Sequence, residues 1–306
     1  MDDLKLIVAP SPHIRDNDTT EKIMFGVVIA LLPVVAASIY FFGWNAVRVL
    51  LLSSAGAIAT EAIFQRLRNR PIRVGDGSAL VTGLLLGLIV PPSLPSMMVI
   101  LGSAFAISIG KQVFGGLGQN PFNPALIGRA ILTVSFAGAM TAWTKPFDAV
   151  TTATPLFVGA AGSRVPDLFF GSVAGSLGET SALAILLGGI YLFYRGYLDY
   201  RVPLGVFASV IVMSLLTGQD PIFHLLAGSV LFGAIFMATD PVTSPITKAG
   251  RWVFGIGIGL IIMLIRIWGS YPEGVTFAIL LMNAATPLIN RWTRPRIYGQ
   301  GVKVSE

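Results

Sequence analysis

Ten apolar stretches, separated by short polar segments, constrain the fold of this chain more than any other feature. A helix needs about 20 apolar residues to cross the hydrocarbon of a bilayer. The stretches at 77–91 and 202–217 are short by this measure, so each could be a broken or re-entrant helix. The sequence predicts an all-α, polytopic membrane protein with about ten transmembrane helices. Their expected bounds are 22–42, 46–66, 77–91, 95–115, 122–141, 177–195, 202–217, 221–239, 251–269 and 273–290.

Composition supports a membrane location and excludes several kinds of chemistry. Of the 306 residues, 54% are hydrophobic and 12% are charged, whereas a soluble domain has roughly 25% charged residues. The chain has no cysteine and only two histidines, His13 and His224. Disulfides, thiolate metal sites and cysteine-ligated iron–sulfur clusters are therefore excluded, and we predict no metal site and no catalytic residue. The first apolar run can span a bilayer and leads into a second, which argues against a cleaved signal peptide.

Basic residues predict the orientation of the chain. With a cytoplasmic N-terminus and ten crossings, 17 of the 21 Lys and Arg residues lie inside and four lie outside. Basic residues collect in cytoplasmic loops. Both termini are therefore predicted to be cytoplasmic, and the loop 142–176 external. The same rule accounts for the net charge of +6 without any nucleic-acid partner. The four outside residues are Arg48, Lys145, Arg164 and Arg266.

The spans are expected to form one membrane domain with an internal repeat. Ten spans divide into five plus five, and an odd number per half would invert the second half relative to the first. The domain covers residues 1–306. Its expected parts are a cytoplasmic N-terminal segment (1–21), a first helical half (22–141), an external loop (142–176), a second helical half (177–290) and a cytoplasmic tail (291–306).

The most informative polar segment is Gly-Ser-Leu-Gly-Glu-Thr-Ser, residues 175–181. Ser176 and Glu179 have the Ser-x-x-Glu spacing of a capping box, which predicts that a helix begins here. A helix N-terminus also offers free N–H groups and a partial positive charge, which suit a phosphate. The two interpretations are compatible, because the hydroxyl of Thr180 in the first turn could hold a phosphate covalently beside those donors. The glycines at 175 and 178 would leave room for a bulky group.

This segment resembles the flavin-attachment motif of the membrane subunits of Rnf and Na⁺-translocating NADH:quinone oxidoreductase complexes. The likeness runs nearly end to end. The similar tail and the compact N-terminal region favour the D subunits of Rnf over their B-subunit relatives. Further similar segments are residues 11–15, 76–83, 120–125, 238–245, 272–275 and 293–299.

The resemblance implies a cofactor and its position. In that family a threonine esterifies the phosphate of FMN, which a separate flavin transferase takes from FAD. Matched position by position, the acceptor here is Thr180, and the chain would be a phosphoprotein in this sense. The charge distribution places Thr180 outside, where the family's flavin is expected. The isoalloxazine ring would supply the redox chemistry. The rest of the matched attachment motif is Ser176, Gly178, Glu179 and Ser181.

Asn120 and Asn123 form a second candidate site. Asn-Pro pairs commonly make turns and begin helices. In the quinone-reductase relatives, asparagines in a similar segment bind a non-covalent riboflavin at the cytoplasmic side. The resemblance therefore implies that these two asparagines could bind a second flavin. Asp240 ends the eighth span, and it could pair with Lys248 or Arg251 or form a wall of the same pocket.

Three ionisable residues fall inside predicted spans and need partners there. Glu61 lies one turn before Gln65, and a paired or snorkelling carboxylate is a simpler interpretation than an ion pathway. Arg129 lies about two turns into the fifth span, where Asn123 or the second flavin could be its partner. Arg266, toward the outer face, could snorkel or neutralise the flavin phosphate.

The resemblance implies a flavin-carrying electron-transfer subunit of an ion-translocating ferredoxin:NAD⁺ oxidoreductase, which is active only within its complex. The expected partners are the other members of the Rnf complex, including the G subunit with its own covalent flavin, a flavin transferase and membrane lipids. The expected location is the bacterial cytoplasmic (inner) membrane. A solute channel or transporter with an inverted repeat is the alternative, because short spans and proline-broken helices also suit that class.

Overall fold

Every secondary-structure element in the described part of the chain is helical, as the sequence predicts. The computed structural model describes residues 18–147, 150, 152–158, 164–269 and 273–295. Residues 11–15, Pro272 and residues 296–299 contribute to the family resemblance, but they lie outside the described residues, as do parts of the loop 142–176 and of both terminal segments.

The first half contains five main helical segments. The third span is short, as predicted, because α3 has 11 residues and is followed by Pro91 and Pro92. The fifth span is shorter than predicted, because the helix ends at Phe136, whose φ of −133° is not helical. The bounds are α1 Thr20–Phe42, α2 Trp44–Leu67, α3 Ser78–Leu88, α4 Ser96–Ile107 continuing as a π-helix at Ser108–Gln112, α5 Pro124–Ser135 and the short α6 Ala137–Met140.

The second half has the same number of segments, preceded by two short loop helices. The eighth span is broken at residues 227–229, where Gly228 has a φ of +70°. The bounds are α7 Pro155–Val158, α8 Val165–Phe170, α9 Ala182–Tyr194, α10 Arg201–Leu216, α11 Pro221–Leu226, α12 Val230–Phe232 continuing as a π-helix at Gly233–Met237, α13 Lys248–Trp268 and α14 Val275–Trp292.

The predicted capping box at Ser176 is wrong, because α9 begins later, at Ala182. The backbone amides of Leu177 and Gly178 donate to the carbonyls of Val90 and Leu88 at the end of α3, at 3.3 and 2.6 Å. These bonds hold the segment as a turn against α3. The Ser181 hydroxyl is the actual cap and accepts a hydrogen bond from the amide of Ala184 at 3.3 Å.

Helix length and surface chemistry agree with a polytopic membrane protein. By length and composition, α1, α2 and α13 can each cross a bilayer, and five shorter apolar helices accompany them in the described residues. Large apolar side chains are exposed on their outer faces, including Leu51 and Ile190. A helix that is apolar on all sides suits lipid on one face and protein on the other.

The two halves share one order of packing. In the first half α2 packs against α3 and α4, and α4 packs against α5. In the second half α10 packs against α11 and α13, and α13 packs against α14. Between the halves, α1 contacts α9 and α5 contacts α14. This shared order is what a five-plus-five repeat predicts, and it places α5 and the start of α9 and α14 at the boundary between the halves.

Candidate functional site

The segment around Thr180 is a buried turn between α3 and α9. Thr180 is 1% exposed, and its hydroxyl makes only a long contact of 3.5 Å to the carbonyl of Leu177. Gly178 does not leave room for a bulky group as predicted, because a Cβ there would lie 2.8 Å from Leu88. Gly175 does face open space, since a Cβ there would meet only Oε2 of Glu179, at 3.8 Å.

A small cavity of about 10 Å³ lies beside the Thr180 hydroxyl. Three buried oxygens at or near it have no hydrogen-bond partner: Oγ1 of Thr154, Oγ of Ser176 and Oε2 of Glu179. Buried polar atoms without partners are uncommon and point to a missing water, ion or ligand. The cavity is lined by Thr154, Pro155, Leu156, Val173, Ala174, Gly175, Glu179, Thr180, Leu226, Gly228 and Glu273.

A cluster of buried charges forms one wall of this cavity. Arg129 of α5 donates from Nη1 to Oε1 of Glu179 at 3.3 Å, and its Nη2 contacts the carboxylate of Glu273 before α14. The partners of Arg129 in this structure are therefore two acids and not Asn123, and the suggested flavin partner stays a prediction. One guanidinium joins the first half to two segments of the second half. Because Arg129 and Glu179 are buried and Glu273 is only 11% exposed, their charges are weakly screened.

Arg266 of α13 completes the cluster and does not snorkel. Its Nη1 and Nη2 donate to the carbonyls of His224 and Ala227, at 2.7 and 2.8 Å, and so stabilise the broken end of α11. A Cβ on Gly228 would lie 3.0 Å from Nη2 of Arg266 and 3.9 Å from a Glu273 oxygen. Glu273 therefore lines the cavity beside Gly228, and Arg266 lies behind Gly228.

Glu179 is the unusual carboxyl of this cluster. It lies in the turn before α9, outside the spanning helices. Burial raises the pKa of Glu179 well above its ordinary value, and the charge of Glu273 raises it further, while Arg129 opposes both. A carboxyl in such surroundings readily holds a proton.

The structure also brings Asn120, Asn123 and Asp240 together around a second cavity, of about 80 Å³. The Asn123 side chain caps α5, as an Asn-Pro pair commonly does, by accepting from the amide of Ala125 at 3.1 Å. Its amide also donates across the halves to the carbonyl of Met237 at 3.4 Å. Oδ1 of Asn120 is buried and has no partner. Apolar side chains from α1, α3, α9 and α12 form most of the wall.

Asp240 is a wall of this cavity and not an ion-pair partner. It accepts from the amide of Val242 and the hydroxyl of Thr243, both at 3.2 Å. Burial raises the pKa of Asp240, and these two hydrogen bonds oppose the shift. The predicted pairing with Arg251 is wrong, because Arg251 contacts Asp199.

Glu61 is a paired carboxylate, as predicted, and its partner is a lysine that the sequence pattern did not single out. Nζ of Lys111 lies 2.8 Å from Glu61 and 2.6 Å from the Ser78 hydroxyl. Lys111 and Ser78 line the Asn120 cavity, whereas Glu61 lines an open cavity beside Arg70 and Asp76. The available signal was a lysine inside the predicted span 95–115, opposite a glutamate inside the span 46–66.

Sequence reasoning also missed Glu273 and Thr154. Glu273 stands just before the last span, where it reads as an ordinary loop acid, and its contact with Arg129 joins residues 144 positions apart. Thr154 lies in the long loop, where no periodicity points to burial, yet it is 4% exposed. The available signal was Arg129, which lies inside a predicted span and has no acidic neighbour in sequence. Such an arginine indicates that an acid from another segment contacts it.

A polytopic helical membrane protein, with a buried charged cluster between its halves and a second, mainly apolar cavity, is the class that these observations define. The chain belongs to the NQR2, RnfD, RnfE family, whose profile matches residues 7–299. It is 49% identical to the D subunit of the Na⁺-translocating ferredoxin:NAD⁺ oxidoreductase complex of Acetobacterium woodii over 308 residues, which cover 98% of this chain and 97% of that protein.

Two further relatives match over nearly their full length. The D subunit of the proton-translocating ferredoxin:NAD⁺ oxidoreductase complex of Clostridium ljungdahlii is 43% identical, covering 95% of this chain and 96% of the relative. The D subunit of the ion-translocating oxidoreductase complex of Stutzerimonas stutzeri is 41% identical, covering 94% of each. Their names differ in the ion, so membership of the family does not by itself choose between Na⁺ and H⁺.

Proposed function

We propose that this chain is the flavin-carrying electron-transfer subunit of an ion-translocating ferredoxin:NAD⁺ oxidoreductase of the Rnf type. In this proposal FMN is bound covalently, through a phosphoester, to Thr180 on the external side. The observation that carries the proposal is the buried Thr180 hydroxyl, which lacks a good hydrogen bond and lines a cavity together with Glu179 and Glu273, the two carboxylates that Arg129 contacts.

The residues present fit the phosphate of such a cofactor. Arg129 and Arg266 supply positive charge, and Arg guanidinium groups are favoured partners of phosphate oxygens. The buried hydroxyl of Ser176 is a further donor in the same segment. Ser181 has a structural task, because its side chain caps α9. When bound, the flavin supplies the electron-transfer chemistry, and the protein holds and orients it.

The flavin ring itself does not fit the cavity beside Thr180. That cavity has a volume of about 10 Å³, which is room for about one water molecule. Its outer wall is formed by Thr154, Pro155 and Leu156 from the long loop. We infer that the phosphoester is buried in the charged cluster and that the ring lies beyond this loop wall, toward the surface.

We further propose that the Asn120 cavity binds a non-covalent flavin, riboflavin. Its walls are mainly apolar, and the polar residues among them include Asn120, Asp240 and Lys111. A largely apolar pocket with a few polar groups is typical of small-molecule sites. The free Oδ1 of Asn120 would accept a hydrogen bond from the ring edge or the ribityl chain.

The proposal includes the surroundings of the chain. Its partners would be the other members of the complex, including the G subunit with its own covalent flavin, and a flavin transferase would modify it. Its location would be the bacterial inner membrane with both termini cytoplasmic. Reporter fusions after Arg70 and at the C-terminus should then read cytoplasmic, and fusions near residue 160 external. A cytoplasmic signal at 160 would overturn the charge argument.

A solute channel or transporter is the second candidate, favoured by the shared packing order of the halves and by the break in the eighth span. Discontinuous helices at a repeat interface are common in transporters. Ultraviolet fluorescence of the denatured protein in a gel separates the two functions. A covalent flavoprotein fluoresces after co-expression with a flavin transferase, and a channel does not.

A pair of threonine variants tests the attachment site itself. Thr180→Val should abolish the in-gel fluorescence, because valine has the same shape but no hydroxyl. Thr154→Val is the matched control, since Thr154 borders the same cavity and is also buried. The control should keep its covalent flavin. Equal fluorescence from the Thr180→Val protein, at equal amounts in the membrane, would refute the assignment.

A further inference from the structure

Four ionisable side chains form a cluster at the cavity beside Thr180. Glu179 and Glu273 line the cavity, from the turn before α9 and from the segment before α14. Arg129 of α5 contacts both carboxylates from behind this lining, and Arg266 of α13 lies close enough to both for their charges to act on it. With both carboxyls ionised, two positive and two negative charges balance. In surroundings of low polarity an unbalanced charge is costly. The net charge of this cluster is therefore tightly constrained.

Covalent attachment of FMN would disturb that balance. The inference rests on the proposed function. In the transfer from FAD, the bond between Oγ1 of Thr180 and the FMN phosphorus forms, the phosphoanhydride bond breaks, and AMP leaves. Thr180 gives up its hydroxyl proton. The product is a phosphodiester, which keeps one negative charge, and that charge is added to the cluster.

We infer that Glu179 holds a proton in the flavinylated protein, so that two guanidiniums balance the phosphodiester and the carboxylate of Glu273. Thr180 loses one proton and Glu179 gains one, so the number of protons in the cluster is unchanged. The protonated carboxyl then has an O–H group that can donate into the cavity.

The geometry favours Glu179 over Glu273 as the proton carrier. Oε2 of Glu179 is buried and faces the open space at Gly175, so a proton there has room. The Ser176 hydroxyl and the Glu273 carboxyl are polar neighbours of the same Glu179 carboxyl. The Glu273 side chain is 11% exposed against 3% for Glu179, so desolvation penalises the ionised form of Glu179 more. Burial and the charge of Glu273, which raise the pKa of Glu179, act in the same direction.

Infrared spectroscopy of the purified, flavinylated full-length chain tests this inference. A protonated carboxyl has a C=O stretch that an ionised carboxylate lacks, and at neutral pH only buried acids keep it. The wild-type protein should show this band. Glu179→Asp should shift it, because the acid at that site changes, whereas the matched Glu273→Asp should leave it in place. Asp240→Asn is the control for the other buried carboxyl, and it should not remove the band assigned to position 179.

A second variant keeps the inference falsifiable if Glu179→Asp does not fold. Glu179→Gln imitates the protonated acid, and Arg129 keeps Glu273 as its partner. Because the amide cannot hold the proton of an acid, this variant should lose the infrared band, while the Asp240→Asn control keeps it. A band that persists in Glu179→Gln would place the protonated carboxyl elsewhere.

The outcomes are distinguishable from failure of the proposed function. A wild-type chain without FMN on Thr180 after co-expression with the transferase refutes the proposed function and this inference together. A flavinylated wild-type chain without the band refutes the inference alone. So does a band that shifts in Glu273→Asp instead of Glu179→Asp, or a band that persists in Glu179→Gln.

Discussion

The Thr180 site and the Asn120 cavity offer a ligand opposite physical surroundings. The first is a cavity of about 10 Å³ with two ion-paired carboxylates in its lining, and the second is a larger cavity of about 80 Å³ walled mainly by apolar side chains. Ion pairs in a tight site fix an anion, but they offer little apolar surface to a ring. Apolar walls stabilise a ring by burial, at about 25 cal/mol per Å². A covalent phosphoester suits the first site and reversible binding suits the second.

The two sites share helix α5 and the boundary between the halves. Asn123 caps α5 and contacts Met237 of the second half, and Arg129 contacts Glu179 and Glu273 of the second half. Arg129 lies six positions after Asn123, or about 9 Å along the helix at 1.5 Å per residue. One short helix therefore carries a residue of the charged cluster and a residue of the Asn120 cavity.

The largest effect should come from removing the cation of the Thr180 site. Arg129→Gln leaves Glu179 and Glu273 buried without their partner, and breaking a buried ion pair in this way costs about 3–5 kcal/mol. Thermal unfolding of the detergent-purified protein measures the loss. Arg251→Gln is the control, because its pair with Asp199 is partly exposed and is expected to be worth about 1 kcal/mol or less. Equal losses in both variants would show that the buried cluster contributes no more stability than a partly exposed ion pair.

Substitutions of Lys111 and Glu61, beside the Asn120 cavity, should have non-additive effects on stability. Lys111→Met leaves Glu61 buried without its cation and should cost about 3 kcal/mol. Adding Glu61→Leu removes the orphaned charge, so the double variant should recover most of this loss. A double-mutant cycle in thermal unfolding measures the coupling. Additive losses would show that the buried pair does not act as a unit.

Ligand binding at the Asn120 cavity can be separated from helix capping. Asn120→Ala should lower the riboflavin released by acid and leave FMN at Thr180 unchanged. Asn123→Ala should also cost about 1 kcal/mol of stability through the lost cap. Asn123→Ser keeps a capping oxygen but loses the amide donor to Met237. Release of riboflavin at wild-type levels from the Asn120→Ala, Asn123→Ala double variant would end the second-flavin proposal.

The smallest effect concerns a partly exposed carboxyl away from both sites. Burial alone would raise the pKa of Asp199, but the backbone amide of Arg201 and the Arg251 guanidinium lower it below its ordinary value. A pKa that is lower in the folded protein stabilises the fold at pH values above the pKa of Asp in the unfolded chain, about 3.9. This stabilisation is lost as the pH falls through the pKa of the folded protein. The stability difference between wild type and Asp199→Asn should therefore shrink in acid. A difference that grows in acid would contradict the assigned ion pairs.

The sequence predicted the helices well because apolar periodicity and length are local properties. All ten predicted stretches contain helix, and α3 is as short as its 77–91 stretch indicates. The capping box at Ser176 failed because the amides of Leu177 and Gly178 bond to α3, a contact between distant parts of the chain. The breaks at Phe136 and Gly228 also depend on packing between segments, since Arg266 satisfies the carbonyls freed at Gly228.

The candidate sites likewise contain residues that the sequence could identify and residues that it could not. Thr180, Asn120 and Asn123 could be found because short motifs mark them. Their surroundings could not, because Arg129 meets Glu273 and Lys111 meets Glu61 only after the helices pack. Opposite charges inside separate spans indicate that partners exist, but spacing along the chain does not say which residues meet.

Peptide mass spectrometry of the chain co-expressed with a flavin transferase tests the central claim most directly. The account predicts one modified peptide, heavier by one FMN less one water, with the added mass on Thr180 and none on Thr154 or Ser181. Expression without the transferase should give the bare peptide. A bare peptide after co-expression, or the flavin mass on any residue other than Thr180, would contradict the account.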